Sequence, residues 1–167
     1  VIFVVFSRQI FYNRIMKILT DFHPHTIASG HHTTDTLTAM AEEASKRQLL
    51  YLGITDHAPK MPSAASESYF RNLKYCDKRL YGVNMLYGAE LNVLSAKGTV
   101  DLPTDILKEL DYAIASLHEK TIRPGSERAN TAALVAAAEN PFINIMGHPD
   151  DPTFPINAET LTDAAKA

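Results

Sequence analysis

The sequence predicts an α/β domain built on a parallel sheet, open or closed into a (β/α) barrel. Two observations carry this reading. From Met16 onward, short apolar strand-like runs alternate with longer helical patterns. Histidines and carboxylates recur where those runs end: Asp21-Phe22-His23-Pro24-His25, His31, Thr55-Asp56-His57, Gly88-Ala89-Glu90, Ser116-Leu117-His118 and Gly147-His148-Pro149. Polar chemistry gathered at the C-terminal ends of strands favours a barrel over a doubly wound sheet, because βα loops build the functional face of a barrel.

The elements follow in order. Lys17–Phe22 reads as the first strand. A helix is expected from Asp35 to Gln48, where Leu37, Met40, Ala41 and Ala44 keep i, i+3, i+4, i+7 spacing and Thr34 or Asp35 can cap the start. Leu50–Thr55 is the second strand, Ser66–Leu80 a second helix stopped by Gly82, and Met85–Glu90 the third strand. Asn92–Pro103 reads as an irregular connection with a turn at Lys97-Gly98. A short helix over Thr104–Leu110 leads to the fourth strand, Tyr112–Ser116. Pro124-Gly125 marks a loop, Asn130 is a candidate cap for the helix Thr131–Glu139, and Pro141 lies just past its end. Phe142–Met146 is the fifth strand, and Ala158–Ala167 begins another helix.

Composition bounds the function. A chain of 167 residues with 46% hydrophobic content fits one domain of the usual 100–200 residues, roughly, and can fill a core. A formal charge of −3 leaves no basic footprint for nucleic acid, and no basic run points to a membrane surface. The single cysteine, Cys76, cannot form an internal disulfide; it reads as a half-buried inert thiol and fits a cytoplasmic location. Val1–Phe6 is apolar but far short of the about 20 residues that span a bilayer, and it lacks the features of a signal peptide. Met16 is therefore the expected natural start. Residues 1–15 then read as an extension and 16–167 as the domain, the alternative being an extra strand at the barrel bottom.

Each motif has a plain structural reading beside its chemical one. Side chains alternate along a strand, so His23 and His25 share a face, and Pro24 ends the ladder where both can turn to a cavity. A lone His-x-His is weak evidence. Asp21 can orient a ligand, since ligating histidines usually give their other N–H to a carboxylate or carbonyl. Asp56-His57 also reads as a surface turn, and His118 or His148 singly as core histidines bonded to carbonyls. Glu90 follows a mostly apolar run, and carboxylates are rarely buried without a partner or metal. Five successive strand ends carry such residues, so the joint reading is a multinuclear metal centre. His32 has no place in it and reads as loop surface.

The ordered set Asp21-Phe22-His23-Pro24-His25-Thr26, Gly53-Ile54-Thr55-Asp56-His57, Gly88-Ala89-Glu90, Ser116-Leu117-His118-Glu119 and Gly147-His148-Pro149 resembles the PHP (polymerase and histidinol phosphatase) superfamily. Within it, the likeness is to small stand-alone bacterial phosphatases of the YcdX type. The resemblance runs from about Met16 to the last residue and implies a distorted (β/α)7 barrel with a trinuclear centre, commonly zinc. It implies that His23 and His25 hold one ion, bridged by Glu90 to a second that His118 and His148 complete, with His31 and His57 on a third. The family's late Asp-x-His is not in this sequence. The chain thus resembles an incomplete barrel, about five of seven strand–helix units, with only the Glu90–His118–His148 site complete in protein ligands.

The activity implied is hydrolysis of a small phosphorylated substrate, a phosphate monoester, by metal-activated hydroxide. Imidazole and carboxylate ligands suit Zn²⁺ and also Mn²⁺ or Fe²⁺. Lys60, Lys120, Arg123 and Arg128 are candidate phosphate contacts, with ordinary solvated surface charges as the plainer reading. Three rivals stand beside this one. An amidohydrolase also opens with His-x-His but usually bridges its metals from a lysine or carboxylate on a middle strand. A non-catalytic PHP-type module would be marked by lost ligands. An inactive fragment would bind metal weakly; such a barrel, with unpaired edges, is expected to form oligomers or dissolve poorly.

Overall fold

The structure, a computed structural model, describes residues 3–4, 18–30 and 33–166. Its strands are β1 (Phe3–Val4), β2 (Thr20–Asp21), β3 (Tyr51–Ile54), β4 (Arg79–Leu80), β5 (Val83–Asn92), β6 (Tyr112–Ser116) and β7 (Ile145–Met146). The helices are α1 (Leu37–Lys46), α2 (Glu67–Asn72), α3 (Thr104–Leu107), α4 (Glu127–Ala138) and α5 (Ala158–Lys166), with 3-10 turns at Ile27–Ser29 and Leu73–Tyr75. β2, β3, β5, β6 and β7 lie side by side in chain order and all parallel, the arrangement of successive barrel strands. β1 runs parallel beside β7, pairing Phe3 with Ile145 and Val4 with Met146. The rest of residues 1–15, expected to be an extension, lies outside the described residues.

The sheet curls into part of a barrel with helices outside it. Alternation sends Leu52, Ile54, Ala89, Leu91, Ala113 and Ala115 to the helix side, where they are buried with Ala41, Phe70, Ile106 and Leu134. Both faces of β5 and β6 are covered over most of their length, which is why these strands read as near-continuous apolar runs. Burying each large side chain of this core contributes about 1.5–3 kcal/mol. On the inner face, the Tyr112 hydroxyl donates to Phe22 O at 2.7 Å, tying β6 to the end of β2. It passes directly over Gly53, where a Cβ would stand 2.0 Å from the Tyr112 oxygen.

Several elements differ from the sequence expectation. The second helix stops early: after Leu73–Tyr75, residues 79–80 form β4, antiparallel to β5. Tyr81 (φ 48°) and Gly82 (φ 85°) make the two-residue turn between them, so Gly82 turns a hairpin and does not end a helix. The helix α4 begins at Glu127, capped by Ser126, whose side chain accepts from Ala129 N. Asn130 instead folds back onto the loop, bonding Gly125 N and O and Pro155 O. Thr36, rather than Thr34 or Asp35, caps α1. No helix among the described residues is long and apolar enough to cross a membrane. Cys76 is half-buried, and burial pushes its thiol pKa up, away from reactivity.

Candidate metal centre

The curled sheet brings six of the seven expected residues to one point above its strand ends. His23 and His25 follow β2, His57 follows β3, His118 follows β6 and His148 follows β7, while Glu90 stands on the inner face of β5. The ladder between β3 and β5 runs on past Ile54, through Glu90 N to Asp56 O and Ala58 N to Glu90 O, which sets His57 opposite Glu90. His31 and His32 lie outside the described residues.

Glu90 is the hub. Its side chain is 1% exposed. On Oε1 converge the Nε2 atoms of His23 (3.1 Å), His118 (3.2 Å) and His148 (2.9 Å); on Oε2, His25 Nε2 (3.4 Å) and His57 Nδ1 (2.8 Å). Ring contacts link His23 to His25, His25 to His57, His57 to His118, His118 to His148 and His148 back to His23, so the five imidazoles close a circle around the carboxylate. The circle is unevenly covered. His57 and His118 are 9% and 12% exposed, whereas His23 and His148 reach 32% and 33%, so the centre opens to solvent on their side.

Burial works against a charged Glu90, but the surrounding imidazoles of His118, His148, His23 and His57 outweigh it and hold its pKa well below the usual carboxylate range. For His148, burial opposes protonation, but the bond to Glu90 and its charge prevail and raise the pKa. His148 also sits at φ 28°, an unusual conformation for a residue with a side chain, just after Gly147. A Cβ on Gly147 would meet Ser116 Oγ at 2.2 Å and His23 Cε1 at 3.3 Å. The backbone of β7 can approach the centre because that side chain is absent.

The donor set fits divalent metal. Two ligand atoms on one tetrahedral ion, with bonds of about 2.0–2.1 Å, stand about 3.3 Å apart. The nitrogen–oxygen separations of 2.8–3.4 Å fall at or just under that spacing. His23 Nε2, His118 Nε2 and Glu90 Oε2 are buried without a well-formed hydrogen bond among the described residues. By proximity the donors form two groups, His23–Glu90–His148 and His25–His57–Glu90. The resemblance noted in the sequence implies a different division, His23 with His25 and His118 with His148.

Polar residues behind the ligands support this circle. Ser116 Oγ donates to Glu90 Oε1 at 2.7 Å. Asn92 Oδ1 meets His118 Nδ1 at 2.7 Å, and Asn92 is itself held by Asp101. Ser29 Oγ lies 2.9 Å from His25 Nδ1 and accepts from His57 N at 3.0 Å. Asp56, far from a surface turn, is fully buried and takes Thr26 N (2.6 Å), Thr26 Oγ1 (2.8 Å), Ser29 Oγ (2.7 Å) and the Tyr69 hydroxyl. Burial and the charge of Asp56 push the Tyr69 pKa up, so its hydroxyl stays a donor. Asp21 bonds the backbone N of His23 at 3.2 Å and positions the chain there. Alternation was the available signal: Asn92 and Ser116 lie two residues from Glu90 and His118. Lys60, Lys120, Arg123 and Arg128 are exposed.

A parallel, curled α/β sheet with a histidine–carboxylate cluster at its strand ends is the class that fold and site define. The chain belongs to the PHP domain family, whose profile matches residues 21–166. It is 50% identical over 151 residues to a protein of Clostridium novyi named "Probable phosphatase", a match covering 90% of this chain and 62% of the relative. Proteins of the same name from Clostridium botulinum (strain Hall) and Thermoanaerobacter pseudethanolicus are 46% and 45% identical, again over 90% of this chain and 62% of theirs. The chain therefore spans somewhat under two thirds of the length of these relatives.

Proposed function

We propose that this chain carries the metal centre of a phosphatase acting on small phosphate monoesters. The observation that carries the reading is the two-sided convergence on Glu90, three imidazoles at one oxygen and two at the other, in a family whose similar members are named phosphatases. A carboxylate so placed can bridge two ions. Residues His23, His25, His57, Glu90, His118 and His148 would hold them, with His31 as a further ligand and up to three ions in all. Zn²⁺ suits this set best, and Mn²⁺ or Fe²⁺ also fit. Closely spaced ions of this kind supply Lewis acidity towards water and phosphoryl oxygens.

The protein's own part is positional. The buried Glu90 would lend negative charge to offset bound ions, and the strand ends hold five rings around it. The more exposed His23 and His148 mark the side from which a phosphate group can enter. The charge of bound metals, rather than the overall −3, would govern attraction of an anion there. Nothing in the composition favours nucleic acid as partner, and a cytoplasmic setting suits the reading.

The test compares chelated and metal-restored protein on an aryl phosphate and on sugar and nucleotide phosphates, with bound metal counted by elemental analysis. Hydrolysis that needs metal and favours monoesters is the expected result. Equal rates with and without metal, or activity on amides alone, would overturn it.

A further inference from the structure

Two of the five rings are fixed at the nitrogen that faces away from Glu90, and the hydrogen-bond inventory decides which form each takes. Ser29 has one hydroxyl proton and two lone pairs. Its Oγ lies 2.7 Å from Asp56 Oδ1, an oxygen that also takes the Thr26 amide, and it accepts the His57 amide at 3.0 Å. If the Ser29 proton turned to His25, two oxygens would face each other at 2.7 Å inside the protein, a costly contact. The proton therefore goes to Asp56, and the remaining lone pair of Ser29 receives Nδ1–H of His25 at 2.9 Å.

An independent chain of bonds reaches His118 through the end of β5. The Asn92 amide nitrogen points at Asp101 Oδ2 (2.6 Å) and Ala58 O (3.3 Å), both of them acceptors. Turning the amide over would set its oxygen against those two, so Asn92 Oδ1 is the atom facing His118. Asp101 also takes the Asn92 amide N–H at 2.8 Å, which locks the residue at both ends. Asn92 Oδ1 can only accept, and His118 Nδ1 at 2.7 Å must donate.

We infer that Asp56, through Ser29, and Asp101, through Asn92, are positioning residues that hold His25 and His118 as Nδ1–H tautomers, each with an unprotonated Nε2 turned to Glu90. The inference rests on the metal reading of the site for its purpose. A neutral ring in this form aims a lone pair at a carboxylate oxygen, 3.4 Å away for His25 and 3.2 Å for His118. That is repulsive alone and favourable with a cation between them. Two acidic side chains that touch no ligand position thus select the form of the ring that can bind metal.

The test begins on chelated protein at alkaline pH, where imidazoles are neutral. Long-range proton–nitrogen correlation spectra should give Nδ1–H and bare Nε2 for His25 and His118. Ser29→Ala and Asn92→Ala should each shift only their own histidine toward the Nε2–H form. Each should also weaken binding of added Zn²⁺ by about tenfold to a hundredfold, with circular dichroism unchanged. Wild-type rings in the Nε2–H form overturn the inference outright, and this result needs no variant to fold. Folded variants with unchanged tautomers also overturn it. If wild-type protein shows the expected tautomers but takes up no Zn²⁺, the metal reading fails while the assignment of the rings stands.

Discussion

Replacing Glu90 by glutamine keeps the shape of the side chain and removes its charge, while putting an amide N–H₂ where one carboxylate oxygen met imidazole nitrogens. Because both oxygens are engaged, by three rings and by two, Glu90→Gln should lower bound metal by more than one ion per chain and abolish turnover. Elemental analysis checks it, and an unchanged metal count would falsify a bridging role. At this scale the sequence was informative about the ligands themselves, because histidines and a carboxylate at strand ends stand out against apolar runs. The residues behind them were not legible. Ser29, Asn92 and Asp101 are common polar residues whose roles depend on partners 4 to 28 positions away in the chain. Asp21 looked like a ring-orienting acid because it neighbours His23, yet its carboxylate holds the backbone instead.

Between elements, two glycines set how closely the strands' inner faces meet. Gly53→Ala would push a methyl to 2.0 Å from the Tyr112 hydroxyl and disturb the bond from β6 to Phe22. Overpacking of this sort costs about 1–3 kcal/mol. Urea denaturation should report it, and Tyr112→Phe in the same chain should recover part of the loss, a non-additive result expected of touching residues. If the two effects simply add, the contact is not what limits residue 53. Gly147→Ala should act differently: its methyl meets Ser116 Oγ and the His23 ring, so metal affinity should fall along with stability. A calorimetric titration with Zn²⁺ separates the two effects. The parallel succession of β2, β3, β5, β6 and β7 could be read from the regular alternation of strand-like and helical runs. The β4 hairpin could not, because Cys76–Leu80 continues the helical pattern and only the left-handed backbone at Tyr81 and Gly82 breaks it. Likewise Asn130 has the chemistry of a cap, but Ser126 four residues earlier reaches the free amides first.

For the molecule as a whole, the centre takes side chains from the ends of β2, β3, β5, β6 and β7, so bound metal would tie these five parallel strands to one another. An ion present at about a thousand times its dissociation constant adds about 4 kcal/mol to stability. In a domain of this size that corresponds to roughly 8–16 °C in melting temperature. Chelation should lower the melting temperature by that order, with amide exchange rising at β2 and β7 together. A change confined to one loop would contradict a centre that spans the sheet. Removing residues 1–15 should leave the metal count unchanged, since they supply no candidate ligand; a loss on starting at Met16 would give that segment a part in the centre. The stacked His23 and His148 rings, 5.8 Å apart, follow the first and the last of these five strands. In kinetic terms their meeting is among the longest loop closures in the chain, and such contacts pay their entropy late in folding. The circle around Glu90 would then be completed only after the intervening strands have docked. Metal uptake followed in time during refolding becomes a clock for the last step, lagging behind the recovery of helical signal.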